Sequence, residues 1–217
     1  FMQAGNPIVQ EKSGKFISAL EASLGSYNLP SILKFYTDFA DPSQNAYSWN
    51  KSFANSDYVF SSEDLAYYFG FASELQSFVN KNPNQTFFVA PMPQIKNSKF
   101  KVTGARVTGL AISSASRNFN TAFTAASLMA TSNFAYKFAT VQNLAPARRD
   151  LLAIKPTDAS SPTFYSSALF SKAWLDPAPE DTDQIWASMI NAVLSNSMTT
   201  NDAIKDANSK HSLLLLK

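Results

Sequence analysis

Apolar residues at Phe16, Ile17, Leu20 and Leu24 recur at helical spacing, which predicts a helix over 14–27. Pro30 sits where a first helical turn accepts proline, and Ile32, Leu33, Phe35, Tyr36 and Phe39 then describe a second helix with a broad apolar face. Asp41-Pro42 ends it, because the residue before a proline avoids helical dihedrals. Two short helices packed together are therefore expected at the start. The aromatics of 47–60 follow no period and predict irregular chain or a short helix. Ser61 with Asp64 resembles a helix cap, but LAYYF at 65–69 has strand composition and is expected to be a strand broken by Gly70.

Ser73, Glu74, Leu75 and Phe78 begin a helix that stops before Asn82-Pro83. FFVA at 87–90 and Val107–Ile112 are expected to be strands, with Pro91 and Pro93 between them barring regular pairing. Phe119, Ala122, Phe123, Ala126, Met129 and Ala130 mark a helix able to lie on a sheet, and 133–140 a shorter one. Residues 156–181, with Pro156, Pro162, Pro177 and Pro179, predict an irregular connector. From Thr182 the positions Ile185, Trp186, Met189, Ile190 and Val193 return to helical spacing, which makes Trp186 core. Thr199 with Asp202 caps a last helix carrying Ala203, Ile204 and Ala207. Six or seven helices against three or four short strands is an α/β pattern with too few strands for its own sheet. The deficit predicts that sheet partners lie outside the chain.

Composition narrows the function classes. The 217 residues are 45% hydrophobic with 18 Phe and only 16% charged, which excludes a disordered polyelectrolyte. A formal charge of +2 without a basic block gives nucleic acid no electrostatic handle. The chain has no Cys, and its one His, His211, lies so near the end that it is not expected to be held in a site. Zinc clusters, thiolate nucleophiles and His-based triads are thereby removed, so no metal and no cofactor is expected. No apolar run reaches the length of a membrane span. The opening Phe-Met-Gln suggests that the true start is missing, as in a fragment or a processed chain.

Candidate binding chemistry concentrates at Gly70, Phe71, Ala72, Ser73 and Glu74, where a strand-ending glycine meets a helix start and an aromatic ring. Unpaired N–H groups beside a ring suit a sugar or another flat ligand, while the alternative is a core Phe71 behind a chain break. Trp49 and Trp174 lie in irregular chain and offer stacking faces. Arg106, between Gly104 and Gly109, is either a binding-edge guanidinium or a surface ion-pair residue, and the GxxxxG spacing lacks the Lys of a phosphate loop. An enzyme would have to work with carboxylates, as glycosidases do. Glu63-Asp64 is a loop pair, and Glu180, Asp181 and Asp183 suit a helix N-terminus, so no catalytic residue is expected. Arg148-Arg149-Asp150 reads as a polar cap or, alternatively, an anion site.

The order of segments carries a resemblance. ILKFYTDFADP, YSWNKSFANSDYVFSSEDLAYYFGFASEL, FFVAPMPQ, VTGARVTGLAISSASRN, LAPARRDLL and VLSNSMTTNDAIKDAN follow one another as in the C-terminal part of a family 1 extracellular solute-binding protein. That class includes the maltose- and sugar-binding proteins of ABC importers. Where the family commonly has Phe-x-x-Gly-Lys-x-Ala-Met, this chain has Phe60-Ser61-Ser62-Glu63-Asp64-Leu65-Ala66-Tyr67. The resemblance implies a type II periplasmic-binding-protein-like α/β fold, here an incomplete two-lobed fragment. It places 1–90 in the later part of the second lobe, 91–165 in the returning part of the first, and 166–217 as connector and terminal helices rejoining the second. It implies that Gly70, Phe71, Ala72 and Ser73 line the cleft, with Arg106 just after the return to the first lobe.

The function so implied is non-catalytic capture of a small solute, a carbohydrate, for delivery to an ABC importer permease. The implied location is extracytoplasmic, either periplasmic or anchored by lipid at the cell surface. The N-terminal remainder of the same protein would complete the cleft. Two other classes stay open, a structural or protein-interaction fragment and a carboxylate-based glycoside hydrolase.

Overall fold

The computed structural model describes residues 1–22, 25, 27–98 and 101–216. After a short 3-10 turn at Met2–Ala4 come β1 (Val9–Lys12), β2 (Lys15–Ser18), α1 (Leu29–Asp38) and α2 (Ser56–Ser61). A second 3-10 turn, Ala72–Glu74, leads into α3 (Leu75–Lys81), followed by β3 (Thr103–Gly104), α4 (Phe119–Met129) and α5 (Ser132–Gln142). The chain closes with α6 (Arg149–Leu152), α7 (Ser161–Ala168), β4 (Ser171–Lys172), α8 (Pro179–Leu194) and α9 (Thr200–Leu214). Helix dominates, and the strands are few and short.

Two compact units divide the chain. One comprises Phe1–Ala54, Gln94–Val102 and Trp174–Lys217, and the other Asn55–Pro93 with Thr103–Ala173. The boundary after Ala54 has no counterpart in the lobes expected from sequence, where 1–90 ran on as one piece. Residues 55–93 instead share a unit with 103–173.

In the first unit the helix expected over 14–27 is replaced by a hairpin. β1 and β2 pair antiparallel with Lys12 opposite Lys15, leaving the two-residue loop Ser13-Gly14. Both loop residues have positive φ, 53° and 75°, the dihedral signs of the tight turn that matches strand twist. Phe16 and Ile17 therefore point to opposite faces, which a helical count of the same positions conceals. Leu24, on which the helical spacing also rested, lies outside the described residues.

α1 starts on Asn28, whose side-chain oxygen accepts from Ser31 N–H at 2.9 Å, with Pro30 in the first turn. It buries Leu29, Leu33 and Thr37, one residue per turn, while Phe35 and Tyr36 are 65% and 60% exposed. The apolar face predicted there is thus narrower than its composition. α9 caps on Thr199, as expected, and buries a stripe of Ala203, Ala207, His211 and Leu214 together with Ile204. Its two alanines have no long side chain to hold neighbours away, and α9 packs on α8, α1 and β2. The core so formed joins Ile8, Leu20, Leu29, Leu33, Met189 and Ile204.

His211, near the end of the chain, is held in the core by α9. Its ring is fully buried, Nδ1 lies 3.0 Å from Ser18 Oγ, and Trp186 packs against it at 5.6 Å between centroids. Burial lowers its pKa from the ordinary 6.5, with the charge of Asp176 acting weakly the other way. The unfolded chain then binds more protons than the folded one in the window below 6.5. Stability should be full above that value and fall as the pH drops through the folded pKa. Denaturant titrations at pH 7.5 and 5.0 measure this, and a His211→Phe variant should flatten the difference.

The second unit is built around aromatic rings. Phe60 on α2 meets Phe78 of α3 edge-on at 5.2 Å, and Tyr68 and Phe87 close in at 5.7 and 5.6 Å. Asn82 and Gln85 donate to the carbonyls of Ser61 and Phe60, tying α2 to the end of α3. Ser61 therefore closes a helix instead of capping one.

None of the three strands expected in this unit forms. Residues 65–69, 87–90 and 107–112 have strand composition but no ladder partner among the described residues, and the parallel pair β3–β4 spans only two residues. A strand is completed by its neighbour, so composition without a partner leaves open chain. The stretch 156–181 is more regular than its prolines suggested. Pro162 falls in the first turn of α7, where no N–H is missed, and Pro179 opens α8 earlier than Thr182. α4 forms over the expected residues yet buries none of them, and among the described residues it has no sheet to lie on.

Candidate functional site

The second unit brings together five of the predicted residues and Arg106. Phe71 has extended dihedrals, and its carbonyl accepts from Glu74 N–H at 2.9 Å, so Ala72–Glu74 turns tightly into α3. Glu74 reaches back, its Oε2 accepting from Phe71 N–H at 2.8 Å and from the Tyr68 hydroxyl at 3.5 Å. Burial, and after it the Glu74 charge, raises the pKa of Tyr68, which keeps its hydroxyl a donor. A Cβ on Gly70 would run into Glu74 Oε2 and the Tyr68 ring, so glycine permits this closure.

Arg106 lies with its guanidinium carbon 4.6 Å from the centre of the Phe71 ring. That is cation–π distance, and both side chains are exposed. Phe71 is 39% exposed, neither ordinary core nor free surface. The cluster offers guanidinium donors, an apolar ring and a backbone turn, with the Glu74 carboxylate occupied in holding Phe71. Such a set can bind hydroxyls and ring faces.

Trp49 and Trp174 belong to the other unit. Trp49 stacks on Phe53 at 4.6 Å and 24°, half-buried, and Trp174 is 36% exposed. Arg148 is bound up locally. Its Nε lies 3.0 Å from Asp150, Nη1 donates to Ala130 O, and Asp150, which also accepts from Ser132, has its pKa pushed down to about 2 by Arg148 above all. The polar-cap alternative for this segment fits that geometry. Glu180 and Asp181 occupy the first turn of α8, as a helix dipole favours. Among the described residues no group of three His, Asp or Glu is placed to hold a metal ion, and no helix is long and apolar enough to cross a membrane.

Two features were missed from sequence. Tyr68, which helps to hold Glu74, lies in a segment of strand composition, and no periodic pattern pairs it with a residue six places on. The first unit also carries an open depression of about 410 Å³ floored by Leu20, Leu29 and Ile204 and rimmed by Glu21, Asn28, Asn201 and Lys205. Its walls come from distant segments, and only the folded chain assembles them.

Comparison with known proteins gives a fold. The chain superimposes on a crystal structure of an ABC transporter solute-binding protein from Thermotoga lettingae TMO, bound with alpha-D-tagatose, with a TM-score of 0.63 at 19% identity. The match covers 99% of this chain and 54% of that one, so the chain spans about half the length of its structural neighbour. No protein-family model matches the sequence. No curated protein matches it either. At this level of identity the similarity is one of fold, and it runs along essentially the whole chain.

Proposed function

We propose that this chain takes part in the reversible, non-catalytic capture of a small carbohydrate for delivery to an ABC importer, outside the cytoplasm. The observation that carries the reading is the fold match over 99% of the chain to a sugar-bound solute-binding protein. The Phe71–Arg106–Glu74 cluster supports it, because an aromatic face with adjoining donors suits a pyranose or furanose ring. Phe71 would stack on the sugar, Arg106 and the N–H groups of Ala72 and Ser73 would donate to its hydroxyls, and Gly70 would let the chain approach. Trp49 and Trp174 would add stacking faces. In this reading the architecture is the type II periplasmic-binding-protein fold, and the chain holds only part of the cleft.

Calorimetric titration with a panel of mono- and oligosaccharides, tagatose included, tests this on the 217-residue chain and on the natural-length gene product. The natural-length product should bind one sugar class, whereas this chain should bind weakly or not at all. Micromolar binding by the 217 residues would overturn the part-cleft statement. In the natural-length product Phe71→Ala should weaken binding about two- to tenfold, the worth of a stacked ring at about 0.5–1.5 kcal/mol, with little loss of stability. A large stability loss with unchanged affinity would make Phe71 ordinary core. Turnover of glycosides by Glu74 or Glu63 would overturn the non-catalytic reading.

A further inference from the structure

The charges of the chain are sorted along its length. All 16 acidic residues lie in 1–74 or 150–217, while residues 75–149 hold nine of the 18 Lys and Arg and no carboxylate at all. Where a cation of that stretch is paired, the acid comes from outside it. Asp57 takes Lys81 at 2.7 Å, and Asp150 takes Arg148 at 3.0 Å. Arg106 has no such partner. Among the described residues its guanidinium makes no ion pair, and it lies exposed over the Phe71 ring.

The carboxylate of the same cluster is committed elsewhere, since Glu74 Oε2 accepts from Phe71 N–H and from the Tyr68 hydroxyl. The backbone leading into Arg106 is held, with Ala105 N–H donating to Lys172 O at 2.9 Å beside the β3–β4 pair. The cation is thus fixed at its root, and its tip is open to an anion. A guanidinium drawn to a ring by its charge keeps its N–H donors, and a carboxylate takes two of them at once in a fork that a hydroxyl does not match. Taking an unpaired cation out of water also costs far more than taking out a paired one. A neutral sugar closing over Arg106 would leave that charge uncompensated, whereas a sugar bearing a carboxylate brings the compensation with it.

We propose, resting on the solute-binding reading above, that the solute is an acidic sugar, a uronic acid or an oligosaccharide containing one, whose carboxylate pairs with Arg106 beside Phe71. Arg106 is then the residue that sets specificity, and Phe71 supplies the apolar contact that acidic and neutral sugars share. A single guanidinium matches the one charge of a carboxylate better than the nearly double charge of a phosphate ester.

Calorimetric titration of the natural-length gene product with matched pairs tests it: glucose against glucuronate, galactose against galacturonate, and mannose against mannuronate. One uronate should bind about ten- to a hundredfold more tightly than its neutral partner, as a hydrogen-bonded charge pair provides. Arg106→Gln keeps an amide donor and loses the charge, so it should abolish that preference. Because the Arg106 side chain is exposed, the same variant should leave the melting temperature without sugar unchanged. Arg106→Lys should retain part of the preference. Neutral sugars bound as tightly as their uronates overturn the proposal, and so does a uronate preference that survives in Arg106→Gln; in both cases solute capture itself stands. Tighter binding of glucose 6-phosphate than of every uronate overturns it too, in favour of a phosphorylated solute. If no sugar binds, neutral or acidic, the solute reading falls and takes the proposal with it, so the two failures are told apart by whether any member of the panel binds.

Discussion

Leu20→Ala should destabilise the first unit by about 2–5 kcal/mol. Leu20 is fully buried and belongs to the cluster of Ile8, Leu29, Leu33, Met189 and Ile204. It follows the hairpin directly, and its neighbour Ala19 donates to Ile8 O at 2.9 Å, so its position is held by backbone as well as packing. The surroundings cannot collapse readily onto an alanine, because the same cavity wall is shared by α1 and α9. Leu213→Ala, at a site 64% exposed on α9, is the control and should change stability by less than about 0.5 kcal/mol. Urea denaturation of both variants decides the matter. If Leu20 behaved like Leu213, the hairpin and its packing on α9 would be wrong, and the helix expected over 14–27 would return.

Trp186→Ala should cost about 2–4 kcal/mol, less than a wholly enclosed tryptophan because the indole is only half-buried. It lies on α8 against the core and against the His211 ring, so its removal leaves a gap and admits water to the imidazole. A second, independent signature follows. With water at His211, the pKa should rise toward the ordinary 6.5, and the loss of stability between pH 7.5 and 5.0 should shrink. Imidazole NMR titration in wild type and variant measures the shift, and a double-mutant cycle with His211→Phe measures the coupling. An unchanged histidine titration would mean that the ring is shielded by other groups.

How much of this was readable from sequence depended on whether an element carries its own instructions. α3, α4, α5, α8 and α9 were legible because a helix satisfies its backbone locally and announces itself by period, cap and terminator. Thr199-x-x-Asp202 and Asn82-Pro83 were such signals. The hairpin is hidden in the sequence because Phe16, Ile17 and Leu20 also fit a helical count, and the Ser13-Gly14 turn shows only through the positive φ angles of the folded chain. The strand at 65–69 was misassigned for a different reason. Strand composition states what a segment can pair with, and pairing is a property of two segments.

The candidate site is legible in part. Gly70–Glu74 was recognised as a junction, and the Gly70 closure and the Arg106 ring contact give it geometry. That Glu74 holds Phe71 in place, however, follows from a return of the side chain that no spacing reveals. His211 was discounted for its position near the end of the chain, where a helix without partners would fray. α9 is not such a helix, because β2 and α1 are its partners.

The bond between Ser18 and His211 joins residues 193 positions apart, and the first unit is assembled from both ends of the chain. On a ribosome adding about 5–20 residues per second, the hairpin emerges roughly 10 to 40 s before the helix that covers it. Through that interval Ile8, Leu20, Leu29 and Leu33 have no α9 to bury them, while the whole of the second unit is being made. Within these 217 residues the unit begun first is thus the last to finish, and a chain arrested before Ala203 should be a substrate for holding chaperones where the 217-residue chain is not.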